Sequence, residues 1–149
     1  MNVRRFALLA SLIAFAASRP AAADNGRSAY SYVRETSGEV LVVSPSNGEV
    51  QAKRNLPISA GDEMKTEEPA RAEVALADGN VLHVGGGTRI RFVSLSEQQG
   101  SDSDVSAIDL SDGSVILSVV GSDEGAVPRI DTADATVYAN SGSRVRVNA

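Results

Sequence analysis

Gly61-Asp62-Glu63-Met64-Lys65-Thr66, followed by Ala72-x-Val74-x-Leu76-x-Asp78-Gly79-x-Val81, joins a two-residue alternation to a turn, and this decides the fold class. Between residues 71 and 77 the apolar side chains fall at Ala72, Val74 and Leu76, while Arg71 and Glu73 point the other way, as successive residues of a half-buried strand must. Asp78-Gly79 then places a residue tolerant of positive φ before one with no Cβ, a strong hairpin signal, and Leu82 and Val84 resume the apolar face beyond it. The segment is predicted as strand, tight turn, strand. A one-residue slip would carry Val74 and Leu76 to the solvent together, so the register is expected to be firmly set.

The pattern recurs. Leu110-Ser111-Asp112-Gly113-Ser114-Val115-Ile116 echoes Leu76-Ala77-Asp78-Gly79-Asn80-Val81-Leu82 at an offset of 34 residues. It predicts a second Asp-Gly hairpin, entered by Ile108 and Leu110 and left by residues 115–120. At an offset of 63, Ala135-x-Val137-x-Ala139-x-x-Gly142 and Val147 match Ala72-x-Val74-x-Leu76-x-x-Gly79 and Val84. The shared order of Ala, Val, Gly and closing Val favours stacked, similar β units. No window beyond the N-terminal segment has a helical period. The expected fold is all-β, with short antiparallel strands and hairpins stacked in a solenoid-like or sandwich-like arrangement.

Arg4 and Arg5, the apolar residues 6–17 and Ala21-Ala22-Ala23 read as a secretory signal peptide, residues 1–23, cleaved after Ala23. That twelve-residue run falls short of the roughly 20 apolar residues that a membrane span needs, so no span is expected after cleavage. The chain has no cysteine, which excludes disulfides and a lipoprotein anchor. Residues 24–55 read as a polar leader and a β-hairpin, and residues 56–149 as the main β domain. Losing Arg4, Arg5 and Arg19 leaves eleven basic residues against nineteen acidic ones, a formal charge of −8. Such a surface gives no footprint for nucleic acid or anionic lipid. Tyr30, Tyr32, Phe92 and Tyr138 are the only aromatics after residue 23, too few for the stacking platforms of single-strand grooves.

The candidate sites are few. Gly85-Gly86-Gly87-Thr88 precedes a β-run and lacks the other positions of a phosphate loop, so it reads as a bend. Asp102-Ser103-Asp104, with Asp109 and Asp112, is the one metal-like cluster, but Ala107 stands where a calcium loop needs glycine and no glutamate closes it. His83 is the only histidine and is expected on an exposed strand face, so a histidine-centred triad or a two-histidine metal site cannot form within the chain. No serine lies in a nucleophile elbow. No catalytic, cofactor-binding or metal residue is assigned, and the chain is read as non-enzymatic. Gly61, Asp62, Asp78, Gly79, Asp112, Gly113 and Gly142 are assigned to turns. Arg89/Arg91 and Arg144/Arg146 remain, each pair projecting from one face of its strand in an acidic protein, as a solvated face or as a surface that docks a partner.

Gly61-Asp62-x3-Thr66, Ala72-x-Val74-x-Leu76-x-Asp78-Gly79 and the closing Gly142-x4-Val147 together resemble the FecR domain of bacterial envelope proteins. The likeness covers residues 56–147, and residues 32–52 are similar to the strands that often precede that domain. It implies an all-β fold of short strands and transfers no catalytic residue. Named members of the family transmit iron-uptake signals through a cytoplasmic anti-sigma segment, one membrane helix and a periplasmic part. Here a cleavable leader stands in place of the first two. The expected function is therefore that of an exported, non-enzymatic module, periplasmic or secreted, which binds a protein partner or envelope component by means such as an edge strand. The alternatives are a sensor or regulator in a FecR-type sigma-factor pathway and a structural surface protein.

Overall fold

The structure, a computed structural model, describes residues 30–96, 105–120 and 127–149. The signal-peptide reading and the acidic run at residues 102–104 lie outside the described residues. The described residues form thirteen strands: β1 Ser31–Ser37, β2 Val40–Ser44, β3 Gly48–Gln51, β4 Pro57–Ile58, β5 Glu63–Thr66, β6 Arg71–Ala75, β7 Val81–Val84, β8 Arg89–Ser94, β9 Ala107–Asp112, β10 Ser114–Ser118, β11 Arg129–Asp131, β12 Thr136–Tyr138 and β13 Arg144–Asn148. Among the described residues there is no helix. Sheet I has the order β13-β10-β7-β6-β1-β4, and sheet II the order β12-β11-β9-β8-β5-β2-β3. All neighbours are antiparallel except β9 and β11. β1 to β3 are built into these same sheets, β1 between β6 and β4, and β2 between β5 and β3.

The alternation read from the sequence supplies the core. Sheet I turns Val33, Ala72, Val74, Leu82, Val84, Val115, Leu117 and Val147 inward; sheet II turns Val40, Val42, Met64, Ile90, Phe92, Ile108, Leu110 and Ile130 against them, in one continuous cluster. Phe92 is the only aromatic ring in that cluster, and small aliphatic side chains fill the rest.

The Asp78-Gly79 turn lies between β6 and β7, with Ala75 opposite Val81, but its geometry differs from the expected tight pair. Leu76 N–H bonds to Asn80 O at 2.9 Å and Gly79 N–H to Leu76 O at 2.9 Å, and within the turn only Gly79 has positive φ, at 88°. This is a turn closed by a bulge at Gly79. Asp78 therefore contributes its carboxylate rather than its backbone: Oδ1 accepts the Asn80 N–H at 2.9 Å, and Oδ2 accepts the Ser106 hydroxyl at 2.8 Å. Ser106 leads into β9, so the bond ties the hairpin to the other sheet.

The two echoes of this hairpin are not hairpins. β9 lies in sheet II and β10 in sheet I, so Asp112-Gly113 carries the chain across the sandwich, and the Ala135 to Gly142 echo likewise leads from β12 in sheet II to β13 in sheet I. Both crossings keep the apolar side chains facing the core, and alternation alone does not distinguish a reversal within one sheet from a change of sheet. At Gly113, φ is 88° and a Cβ would lie 2.7 Å from Thr88 Cα and 2.8 Å from Gly87 O. The neighbouring corner leaves room for glycine alone.

What repeats in three dimensions is the corner. The chain changes sheet after Thr66, at Gly87-Thr88 and at Gly113-Ser114. The buried Thr66 hydroxyl donates to Gly85 O at 2.5 Å and accepts the Thr88 N–H at 3.0 Å. One corner further on, the buried Thr88 hydroxyl accepts the Ser114 N–H at 3.0 Å, with Gly86 O at 3.2 Å and Ser114 O at 3.3 Å as its own acceptors. Each hydroxyl satisfies backbone groups that the change of sheet has removed from a ladder.

At the far edge of sheet II, Arg129 Nε and Thr136 Oγ1 donate to the two oxygens of Asp131, at 2.9 and 2.8 Å. Burial pushes the Asp131 carboxyl up, but the hydrogen bonds from Arg129 and Thr136 and the Arg129 charge outweigh it and hold the group below the usual carboxylate range. The hydrogen bond to Asp131 raises Arg129 in turn.

Thr88→Val keeps the shape and removes the acceptor for Ser114 N–H, at an expected cost of about 1–3 kcal/mol, measured as a shift in denaturation midpoint with faster amide exchange at Ser114. Gly113→Ala should destabilise more than Gly142→Ala. Both glycines have positive φ, but nothing lies within 4 Å of a Cβ at Gly142; equal midpoints for the two variants would contradict the close packing of corners. Because its folded pKa lies below its unfolded one, Asp131 stabilises the fold above the ordinary carboxylate range, and this is lost as pH falls through the depressed value. Asp131→Asn should therefore lower the melting temperature at neutral pH, and the gap to the parent should close well below about pH 4.

Candidate functional site

The two outer faces of the sandwich carry the charges that the core excludes, and they resolve them differently. On sheet II, register places Val43, Glu63, Arg91, Asp109, Asp131 and Thr136 in one row across six strands. Leu41, Lys65, Arg89 and Asp112 form the adjacent row. Glu63 is the hub: its carboxylate lies 3.5 Å from Arg89 Nε, 3.9 Å from Arg91 and 3.7 Å from Lys65 Nζ. These arginines are about 60% exposed, so each pair is worth at most about 1 kcal/mol. Asp112 and Asp109 stand opposite Arg89 and Arg91 in register, so three carboxylates face these three cations.

On sheet I, the outer rows are Glu35, Glu73, His83, Ile116, Arg146 and Tyr32, Ala75, Val81, Ser118, Arg144. Glu73 bonds Arg34 at 3.1 Å and faces His83 Nδ1 at 3.4 Å, which uses its charge on the β1 side of the face. On the β13 side, Arg146 Nε meets only the neutral Asn148 Oδ1, at 3.3 Å. Neither Arg144 nor Arg146 has an acidic partner among the described residues. The four arginines singled out in the sequence are thus two separate pairs on opposite faces, one neutralised and one not.

An open depression of about 690 Å³ lies across sheet I, and its lining includes Glu35, Glu68, Arg71, Glu73, His83, Ile116 and Arg146. The one imidazole faces a carboxylate, and no serine hydroxyl is hydrogen-bonded to it among the described residues. A second depression on sheet II is lined by Val93, Asp109, Ser111, Asp131, Thr132 and Ala133. Among the described residues no group of three or more His, Cys, Asp or Glu side chains is placed to hold a metal ion. No helix among them is long and apolar enough to cross a membrane.

The residues assigned to turns all stand at turns, crossings or strand ends, and several do more than bend the chain. Buried Asp62 accepts the Ser59 N–H at 2.9 Å through Oδ2, while Gly61 N–H and Asp62 O bond Phe92 at 2.7 and 2.9 Å. That turn therefore anchors β8. Sequence reasoning missed the buried polar set of Ser31, Thr66, Asn80, Thr88 and Ser106. One signal for part of it is present: a glycine of positive φ followed directly by a short polar side chain, as in Gly61-Asp62, Gly79-Asn80, Gly87-Thr88, Gly113-Ser114 and Gly142-Ser143.

Sheet edges complete the surface. Sheet I ends in β4, two residues including Pro57, and in β13, five residues; sheet II ends in β3 and β12, of four and three residues. β13 is the longest edge, and it carries the unneutralised arginines.

No curated protein and no solved structure matches the chain. The family model described as FecR protein matches residues 62–149, from the buried Asp62 turn through β13. With that match over more than half its length, the chain belongs to the non-enzymatic, all-β FecR family.

Proposed function

We propose that this protein is an exported module of the cell envelope that binds another macromolecule through the outer face of sheet I. The observation that carries this reading is the contrast between the faces. Arg89 and Arg91 share Glu63 and stand opposite Asp112 and Asp109, whereas Arg144 and Arg146 have no acidic partner among the described residues, in a chain whose formal charge is −5. A cation pair left uncompensated in an acidic protein is available to a partner, and complementary charge steers association and selects partners. The open depression beside it has the shape of a docking surface and lacks the enclosure of a small-molecule pocket. Export rests on the basic, apolar and small-residue order of residues 1–23, with delivery to the periplasm or beyond. Family membership favours a second reading, a sensor or regulator in a receptor-linked sigma-factor pathway; a sigma-factor gene beside this one would support it.

The test is affinity capture from envelope extracts with the exported chain and two charge-reversed variants. Arg144→Glu/Arg146→Glu should lose the captured partner, and Arg89→Glu/Arg91→Glu should keep it. Equal capture by both variants, or no reproducible partner for the parent, would refute this reading. N-terminal sequencing of the fractionated protein should begin at Asp24.

A further inference from the structure

We infer that the open edge of β13 accepts an extended acidic segment of a partner protein as an additional strand of sheet I. This deepens the proposed binding function and rests on it.

Backbone direction is the first argument. Ala149 N–H bonds Gly113 O at 3.0 Å and Val119 N–H bonds Ser143 O at 2.8 Å. With Val115 opposite Val147 and Leu117 opposite Val145, the residues of β13 that bond to β10 are those at odd positions. The N–H and C=O groups of Arg144, Arg146 and Asn148 therefore point away from the sheet, and no strand among the described residues lies on that side. These groups form a ready row of donors and acceptors.

Side-chain chemistry is the second argument. Val145 is partly buried against the core and Val147 is buried, so both face inward, while Arg144 and Arg146 stand on the outer face. A strand added here places alternate residues opposite an apolar pair and opposite a cationic pair. The fitting segment alternates Val, Ile or Leu with Asp or Glu. A second copy of this chain does not fit, because antiparallel pairing of two β13 strands sets arginine opposite or beside arginine. The net negative charge of the protein is screened over about 8 Å at physiological ionic strength, so the adjacent arginines decide the contact. Of the other edges, β3 bears Glu49 and β4 contains Pro57. Neither offers a cationic row.

The test uses the full chain and a capped seven-residue peptide alternating glutamate and valine, with a lysine–valine peptide as control, by titration calorimetry and amide hydrogen exchange. The glutamate peptide should bind, slow exchange at Arg144 and Arg146, and bind at least tenfold better than the lysine peptide. Arg144→Glu/Arg146→Glu should reverse that order. Arg146→Pro removes an N–H that faces solvent and leaves the β10 ladder intact, as proline on an edge strand can; it should keep the β spectrum and lose the peptide. If it fails to fold, the charge-reversed variant and the exchange pattern still decide. Unchanged exchange at Arg144 and Arg146 under saturating peptide, or equal binding of both peptides, overturns the inference. Should the envelope partner still depend on Arg144 and Arg146 while no peptide adds to the edge, the binding face stands and the edge-strand mode falls. Self-association through β13 would overturn it as well.

Discussion

The fold depends on two buried hydroxyls. A chain that changes sheet takes backbone N–H and C=O groups out of a ladder and into a dry interior, where each unpaired group costs about 1–3 kcal/mol. Thr66 and Thr88 answer this at successive corners: each accepts an N–H of the next corner, and each has a glycine carbonyl as acceptor, Gly85 for Thr66 and Gly86 for Thr88. Because each corner is bonded to the next, the end of β5 constrains the start of β8, and the start of β8 constrains that of β10. The aliphatic core has no large ring except Phe92 to impose registry. Polar bonds at the corners supply the alignment that interdigitating side chains provide in other sandwiches.

Much of this was legible as pattern and little of it as topology. The alternation at Ala72, Val74 and Leu76 assigns the inward face correctly, since a period of two is a direct consequence of pleating. The same alternation surrounds Asp78-Gly79 and Asp112-Gly113, yet one turn stays in its sheet and the other leaves it. The difference lies in what packs beneath: Gly113 sits against Thr88 and Gly87, residues that precede it by more than twenty positions and carry no local mark of the contact. Asp78 was read for its backbone and acts through its side chain, by way of Ser106, which likewise requires knowing that β9 begins beside this hairpin. The glycine–polar dipeptides were the available clue. A residue of positive φ ends a strand, and a short oxygen-bearing side chain immediately after it is positioned to satisfy the groups so released.

For the candidate site, residue type was legible and pairing was not. Arg89, Arg91, Arg144 and Arg146 alternate identically in the sequence, and strand order alone separates them. β8 lies beside β5, whose Glu63 projects from the same face, whereas β13 lies beside β10, which presents Ser118, Ile116 and Ser114 there. Four similar charges thereby become one internal ladder and one exposed pair. His83 follows the same logic, since its neighbour in the row is Glu73 and no nucleophile shares that position.

The interleaving of the two sheets also bears on how the chain reaches this state. β1 must find β6, β2 must find β5 and β10 must find β13, while among the described strands only β2–β3, β6–β7 and β11–β12 are joined by short turns within one sheet. Neither sheet is assembled by adding neighbours in order of synthesis. Loops must close before the contacts that repay them exist, which places such a topology among small domains that fold in milliseconds to seconds. Until β13 docks, the backbone edge of β10 is uncovered. Docking of β13 closes that edge and moves the open edge of sheet I to a strand that carries Arg144 and Arg146.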